Sequence, residues 1–230
     1  SDFRGKSDRK DAQRIAEYAL RYSDKQFLYQ QASMTEKTIQ TLLGARETLL
    51  LQINAIKQQL SESKSFDPTK HSLLNACYRK TLKTLKAELK RVEEQIECAA
   101  KADQLVQNNL ELLTSIPGIG KQNALNLIVF TKNFAAFKTA AHLACYAGVV
   151  PFPNQSGGMV KRDRVSKFTN KNIKNLLHMA AMATVRMKGE LRDYYLRKVQ
   201  QGKNKMLVLN AVRNKLVHRV FAVIQRQTPY

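Results

Sequence analysis

The amino-acid sequence predicts a mainly α protein, in which a long antiparallel coiled-coil hairpin is followed by a helical domain with a helix-hairpin-helix element and a long loop. Two observations support this fold class, and a third shows which half of the chain would meet a polyanion. Apolar residues recur at alternating three- and four-residue steps over two long stretches, the pattern of helices that pack in pairs. Helix breakers are scarce, with 9 Gly and 5 Pro among 230 residues, which favours long helices over many short strands. Acidic residues become rare beyond Leu110, so the C-terminal half is the more basic one.

The overall charge limits the class of partner. The chain has 39 Lys and Arg against 18 Asp and Glu, a formal net charge of +21, which indicates a nucleic acid or an acidic membrane as partner. A membrane-spanning helix is not expected, because no apolar run reaches about 18 residues. The scattered cysteines Cys77, Cys98 and Cys145 form no CxxC motif, and no apolar leader opens the chain, so we expect a cytoplasmic protein. The four histidines have no partner at metal-ligand spacing and are interpreted as packing or surface residues: His71, His142, His178 and His218.

The first segment, residues 1–34, contains two carboxylates three residues apart. Asp8 and Asp11 would share one face of a helix and could hold a divalent metal together. Alternatively, Ser7 or Asp8 caps the helix and Asp11 lies in its first turn. The spacing alone favours the cap.

Residues 35–113 predict the coiled coil. The first helix begins near Thr35, and the polar segment from Ser61 to Pro68 is interpreted as a break that forms the hairpin turn. The second helix, about 43 residues and roughly 60 Å long, would continue to Leu113 with Asp103 as an exception in its apolar pattern. Because it is the longer helix, its spare apolar seam is expected to contact another domain or another subunit, the latter in a homodimer or higher homo-oligomer. A spacer without chemistry is the alternative.

The domain at residues 114–230 begins with Ile116-Pro117-Gly118-Ile119-Gly120, which resembles a helix-hairpin-helix element. Gly118 and Gly120 would let the backbone approach a phosphate, and free N–H groups of the next helix would receive it. Lys121 at that helix start would be unfavourable unless an anion lies beside it. An ordinary tight turn that needs a positive φ is the alternative.

Residues Val149 to Phe168 are predicted to form the long loop, followed by helices over 170–187, 190–200 and 206–226. Ser156 is a hydroxyl in this loop, and cations follow it: Lys161, Arg162, Arg164 and Lys167. A serine that attacks a phosphodiester needs exposure, a route for its proton and cations beside the transition state. The loop supplies the first and the third. Alone, a serine beside glycine is more often a turn residue.

The order of these motifs along the chain resembles the transposases of insertion sequence family one-ten and their relatives, the Piv-type DNA invertases. The resemblance covers nearly the whole chain. It is carried by the following segments: Lys6-Ser7-Asp8-Arg9-Lys10-Asp11-Ala12, the coiled coil, Ile116-Pro117-Gly118-Ile119-Gly120, Tyr146-Ala147-Gly148-Val149-Val150-Pro151, Ser156-Gly157, Val165-Ser166-Lys167, Asn170, and Gly202-Lys203 through Lys215-Leu216.

The resemblance implies a DNA transposase or recombinase. Members join a RuvC-like domain with four metal-binding acids to a domain with a catalytic serine. Asp8 and Asp11 would then be the last two acids, binding Mg²⁺ in the complete protein, and Ser156 the nucleophile of a serine-linked phosphodiester intermediate, within an active-site loop. The first two acids would precede Ser1, so this chain alone is expected to be inactive. Several members use a bridge RNA beside their DNA partner, and the protein would lie on the nucleoid of a bacterium.

Nucleic-acid contacts are expected from residues of the turn, the loop and the helix after it: Gly118, Gly120, Lys121, Lys161, Arg162, Arg164, Lys167, Lys171 and Lys174. The chain departs from the family at Thr169, where Gly is usual, and at Lys174, where Arg is common; a lysine loses the bidentate phosphate contact of an arginine. Two alternatives remain. One is a non-catalytic helix-hairpin-helix protein with a coiled-coil oligomerisation arm, and the other is a basic RNA-binding scaffold.

Overall fold

The computed structural model describes residues 7–25, 31–156, 159–166 and 168–230, with side chains placed for all of these except 25 and 153–164. The chain divides into two units, residues 1–31 and 32–230. The mainly α fold class is confirmed, since helices form most of the described chain. None of the described helices is both long and apolar enough to cross a bilayer.

The first unit contains helix α1, Asp8–Arg21, and a short 3-10 turn, Ser23–Lys25. Ser7 is the N-cap of α1, and its hydroxyl accepts the backbone N–H of Lys10 at 3.4 Å. Asp8 and Asp11 lie in the first turn, where carboxylates interact favourably with the helix dipole. The arrangement is therefore that of a capped helix start.

The second unit begins with a hairpin of two long helices, α2 (Met34–Phe66) and α3 (Pro68–Lys101). They are antiparallel, because Arg46 of α2 pairs with Glu93 of α3 at 2.8 Å while His71, at the start of α3, contacts the carbonyl of Leu60 near the end of α2. Apolar residues of both helices are buried along this contact: Ile39, Ile53, Ile96 and Ala100.

The predicted polar break from Ser61 to Pro68 is wrong. Helix α2 continues to Phe66, and Asp67 alone connects the two helices. Its backbone N–H closes the last turn of α2, while its carboxylate accepts the N–H groups of Thr69 and Lys70. With Pro68 at the first helical position, this one residue is sufficient to end one helix and start the next.

The predicted continuous second helix is also wrong. Helix α3 ends at Lys101, and a separate helix α4, Gln104–Thr114, begins after Asp103. The Asp103 carboxylate accepts the N–H groups of Leu105 and Val106. The polar residue that interrupts the apolar pattern is therefore an N-cap.

The remaining helices form the core of the second unit. They are α5 (Lys121–Thr131), α6 (Ala140–Tyr146), α7 (Lys171–Thr184), α8 (Glu190–Gln200) and α9 (Lys205–Arg226). Helix α9 packs against α4, α6, α7 and α8, so it is the central element. Its buried face contains an apolar stripe: Leu209, Val212, Leu216, Val220 and Val223.

The predicted unstructured loop is wrong for most of its length. Strands β1 (Pro151–Ser156) and β2 (Met159–Val165) pair antiparallel, with Pro151 opposite Val165 and Ser156 opposite Met159, and the register shifts between Phe152 and Asn154. Two glycines between two short runs of residues are a hairpin signal in sequence. The prolines in the first run hid this signal, because proline argues against a strand in the middle of a sheet. They are compatible with this hairpin, since proline is tolerated in an edge strand.

Candidate functional site

The turn between α4 and α5 is packed against α7 by Gly118. Its φ is +92°, and a Cβ at this position would collide with the Thr184 hydroxyl and the Ala180 carbonyl. The same hydroxyl lies 3.1 Å from the Pro117 carbonyl oxygen, to which it donates. Gly118 is therefore required because the turn approaches α7 closely, as the alternative of a tight turn expects. The side on which a Cβ would lie faces α7.

Gly120 differs from Gly118, because the space around it is open. It is the N-cap of α5 with an ordinary φ of −83°, and no atom lies within 4 Å of the position a Cβ would take. It supplies no side-chain cap to α5. The first N–H groups of α5 therefore resemble the anion-binding helix starts of nucleic-acid proteins.

An internal anion lies beside this helix start. The Lys121 ammonium contacts a carboxylate oxygen of Glu97, on α3, at 2.5 Å. The hydrogen bond and the charge of Lys121 lower the pKa of Glu97. The anion expected next to Lys121 is thus present within the protein, and a phosphate at α5 would share the lysine with Glu97.

Both ends of the β hairpin are held at its base. The Asn210 amide of α9 donates to the carbonyl of Val149 at 2.8 Å, just before β1. After β2, the backbone N–H of Asn170 donates to the Tyr146 carbonyl at 2.8 Å, and the Asn170 amide donates to the Tyr146 hydroxyl at 3.1 Å. These bonds fix where the two strands leave the helical core.

Thr169 has a packing role at this base. Gly148 has a φ of +65°, and a Cβ there would approach the side chain of Thr169 to 2.9 Å. The missing side chain of Gly148 thus accommodates the threonine that stands where the family usually has glycine. Entry and exit of the hairpin are in direct contact here.

The hairpin carries the predicted nucleophile and part of the predicted cation cluster. Ser156 is the last residue of β1, while Lys161, Arg162 and Arg164 lie on β2. In the backbone register, Lys161 is opposite Asn154. The side chains of these residues, and Gly157, Gly158 and Lys167, lie outside the described part of the chain.

Two predicted cations lie at the start of α7, directly after the hairpin. Lys171 is the first residue of the helix and is exposed, and Lys174 is half-buried one turn later. The Asn170 side chain caps this helix by accepting the N–H groups of Asn172 and Ile173. Lysines at a helix start are unfavourable beside the helix dipole, so an approaching anion would be stabilised there.

The predicted metal ligands lie in the first unit. Asp8 is exposed, and Asp11 is half-buried with an oxygen 3.8 Å from the Arg14 guanidinium. Carboxylate oxygens are the ligands that Mg²⁺ prefers, so the donor chemistry fits. Within the residues that the structure describes, no three His, Cys, Asp or Glu residues group as a metal site.

Sequence reasoning missed one polar pair in the core. Arg213 of α9 is 7% exposed, and its Nη2 lies 2.9 Å from Nδ1 of His178 on α7. Burial lowers the pKa of Arg213; burial and then the charge of Arg213 lower the pKa of His178. The sequence feature that could have revealed this pair is the position of Arg213, a charged residue within the apolar stripe of α9 between Leu209 and Leu216.

The resemblance to insertion-sequence transposases is confirmed by comparison with known proteins. Residues 110–196 match the sequence model of the Transposase IS116/IS110/IS902 family. The chain is 26% identical over 230 residues to the pilin gene-inverting protein of Moraxella bovis, covering 99% of this chain and 69% of that protein. It is 27% identical over 257 residues to the transposase for insertion sequence element IS1111A of Coxiella burnetii, covering 98% and 68%. It is 29% identical over 150 residues to the insertion element IS110 uncharacterized 43.6 kDa protein of Streptomyces coelicolor, covering 65% and 36%.

Proposed function

We propose that this chain, which is similar to insertion-sequence transposases and to a gene-inverting protein, cuts and rejoins DNA through an ester between Ser156 and one DNA strand. The observation that carries the proposal is the family match over residues 110–196. That segment includes Ser156, the whole β hairpin and the start of α7. The segment that matches the family model thus includes the part of the chain that combines a serine with cations.

The anchored base of the hairpin supports a catalytic role for Ser156. A reacting group must be held close to its productive geometry by elements that are themselves fixed. Asn210 holds the start of β1 at Val149, and Asn170 holds the end of the hairpin at Tyr146. Ser156 is therefore carried by two paired strands whose exits from the core are set by hydrogen bonds.

The proposed reaction is a phosphoryl transfer in two steps. The Ser156 oxygen attacks a phosphorus of the DNA backbone, so an O–P bond to serine forms while the P–O bond to one strand end breaks. The serine proton leaves to a base, and the departing strand oxygen takes up a proton. The hydroxyl of a new strand end then attacks the same phosphorus and releases the serine.

The basic residues around the hairpin stabilise the charge of this reaction. In the transition state, the transferred phosphoryl group carries extra negative charge on its equatorial oxygens, and cations placed beside these oxygens lower the activation barrier of the transfer. Arg162, Arg164 and Lys171 follow Ser156 closely in the chain. They would also bind the DNA backbone on either side of the reacting phosphate.

A divalent metal fits the proposed chemistry. Mg²⁺, when bound, would polarise the phosphate and favour the serine alkoxide. Asp8 and Asp11 would hold it together with further carboxylates of the complete protein. Because they lie one helical turn apart in α1, both can face the same ion.

Two further partners belong to the proposal. A structured bridge RNA is implied by the resemblance, and RNA that co-purifies with the complete protein would support it. A second copy of the chain would bind through the α2–α3 hairpin, whose outer faces expose apolar side chains: Leu51 at 65% and Leu73 at 66%.

The test of the proposed function is Ser156→Ala in the full-length gene product. A DNA substrate that traps the covalent intermediate should yield a protein–DNA adduct with the wild type and none with the variant, while DNA binding is retained. Ser65→Ala, at an exposed serine near the end of α2, is the matched control and should leave the adduct unchanged. An adduct that persists in Ser156→Ala would contradict the proposal and favour the non-catalytic binding protein.

A further inference from the structure

Arg213 is a buried cation whose described surroundings supply no opposite charge. It is 7% exposed in the middle of α9, and among the described residues no carboxylate lies within ion-pair distance. Its Nε and the neighbouring Asn214 Oδ1 are buried, and neither has a hydrogen-bond partner in the described part of the chain. Burial of a charge is unfavourable unless the charge is paired, so this residue costs stability where it lies.

The contact with His178 fixes the tautomer of the imidazole. An arginine can only donate, so His178 Nδ1 must accept the Arg213 Nη2–H at 2.9 Å. The proton of the neutral ring is then on Nε2. Because the ring is half-buried, it also reaches solvent. His178 thus offers an oriented N–H donor in front of a buried positive charge.

The pair joins the two helices whose residues hold the base of the β hairpin. Along α7, Asn170, Lys174 and His178 follow at four-residue steps and share one face, which places a lysine one turn from the imidazole. Along α9, Asn210 lies one turn before Arg213 and holds the hairpin at Val149. Helices α7 and α9 pack on each other. Asn170, at the start of α7, and Asn210, on α9, both donate hydrogen bonds to residues at the base of the hairpin.

We propose that His178 and Lys174 bind one phosphate group of a DNA strand on this face of α7, and that Arg213 positions His178 and supplies the buried charge behind it. The inference rests on the proposed function in one respect, namely that the chain binds DNA. A phosphate oxygen accepts the Nε2–H of His178, and its negative charge compensates the guanidinium across the ring. The bound phosphate would lie on the strand that runs past the base of the hairpin towards Ser156.

The stability of an Arg213 variant separates a binding role from a structural one. If Arg213 served only the fold, Arg213→Met would lower the melting temperature. If its burial is retained for binding, the apolar replacement removes an uncompensated charge, and the melting temperature should stay or rise while DNA affinity falls. A lower melting temperature combined with unchanged DNA affinity would overturn the role of Arg213.

DNA binding is measured with a short mixed-sequence duplex over a range of salt concentrations. The variants are Lys174→Met, which removes the cation, His178→Phe, which removes the donor but keeps an aromatic ring, and His178→Gln, which retains an N–H donor. Loss of one phosphate contact should reduce the slope of log affinity against log salt by about 0.9. We expect this reduction for Lys174→Met, whereas the neutral donor is read from affinity: His178→Phe should weaken binding at a nearly unchanged slope and His178→Gln should retain it. The control Arg91→Met, an equal charge loss on exposed α3, should retain the wild-type slope.

The outcomes distinguish this inference from the proposed function. A wild-type protein that does not bind DNA would overturn both. Wild-type binding with an unchanged affinity in His178→Phe, or with an unchanged slope in Lys174→Met, would overturn this inference alone, and the same changes with an RNA duplex only would assign the site to RNA and overturn it as stated.

The tautomer provides a second readout that does not depend on Arg213 variants folding. The chain has four histidines, so long-range ¹H–¹⁵N spectra of the imidazoles can be assigned with His178→Gln. We expect His178 to be neutral with its proton on Nε2 near pH 7, and its Nε2 signal to shift when DNA is added. A proton on Nδ1, or signals that DNA leaves unmoved, would overturn the inference.

Discussion

Gly118 and Gly120 are two residues apart, yet the structure predicts that alanine destabilises the fold strongly at the first position and only slightly at the second. At Gly118, alanine would have to keep a φ of +92° and place its Cβ against the Thr184 hydroxyl and the Ala180 carbonyl. A strained backbone of this kind costs about 1–3 kcal/mol, and overpacking costs about as much again. We therefore expect Gly118→Ala to lower the free energy of unfolding by about 4 kcal/mol. For a chain of this size that corresponds to roughly 8–16 °C in melting temperature.

At Gly120 the predicted cost is small, because φ is −83° and the space is open. Alanine is a poorer N-cap than glycine, which corresponds to about 0.5–1 kcal/mol. If a phosphate approaches the start of α5, the added methyl group should weaken DNA binding while the fold is preserved. Thermal unfolding followed by circular dichroism tests the first expectation, and a DNA titration tests the second.

A double-mutant cycle identifies the cause of the Gly118 effect. Thr184→Ala removes the hydroxyl that the new Cβ would meet, so the double variant should recover part of the loss, with a coupling energy above about 1 kcal/mol. Equal melting temperatures for Gly118→Ala and Gly120→Ala would refute the reasoning. So would strict additivity of Gly118→Ala and Thr184→Ala.

Four further predictions concern the site and the assembly. Glu97→Gln should raise DNA affinity, because it frees the Lys121 ammonium at the start of α5; an unchanged Kd would show that no phosphate binds there. In the wild type, the pKa of Glu97 is below its usual value, so the stability that this pair contributes is present above the ordinary carboxyl pKa and is lost as pH falls through the lowered one; the stability difference between wild type and Glu97→Gln should therefore be constant above that range and change only within it. Asn210→Ala removes the hydrogen bond to Val149 and should lower the recombination rate more than DNA affinity, whereas an equal loss in both would contradict a role in positioning the hairpin. Leu51→Glu on the outer face of α2 should shift sedimentation velocity profiles towards the monomer, and an unchanged profile would contradict assembly through this face.

The helix hairpin could be predicted from the sequence, but its limits could not. The apolar spacing that indicated paired helices resumes after Asp103 with nearly the same period, because one helix ends at Lys101 and the next begins at Gln104. The spacing alone therefore did not reveal the boundary. Likewise, the polar residues before Asp67 are compatible with helix, so a turn predicted from polarity was too long. An N-cap is a short-range signal. The aspartates that cap α3 and α4, Asp67 and Asp103, indicate these two helix boundaries better than the apolar pattern does.

The candidate site was predictable only where it is local in sequence. Ser156 and the basic residues after it lie within one short segment, and the resemblance identified them from their order. The contacts of Lys121 with Glu97 and of Arg213 with His178 join residues that are 24 and 35 positions apart. Such pairs arise from helix packing, which a spacing pattern within one helix does not encode. They nonetheless decide which cations are compensated inside the protein and which are available to a polyanion.

The most direct test of the central claim is to map the protein–DNA linkage by mass spectrometry. After trapping on DNA, nuclease treatment and trypsin digestion, the peptide covering residues 139–161 contains a single serine, Ser156. The account predicts that this peptide carries the mass of a residual nucleotide, located on Ser156 by fragmentation. A nucleotide found on another residue, or DNA that is cut and rejoined by the trapped protein without any covalent adduct, would contradict it.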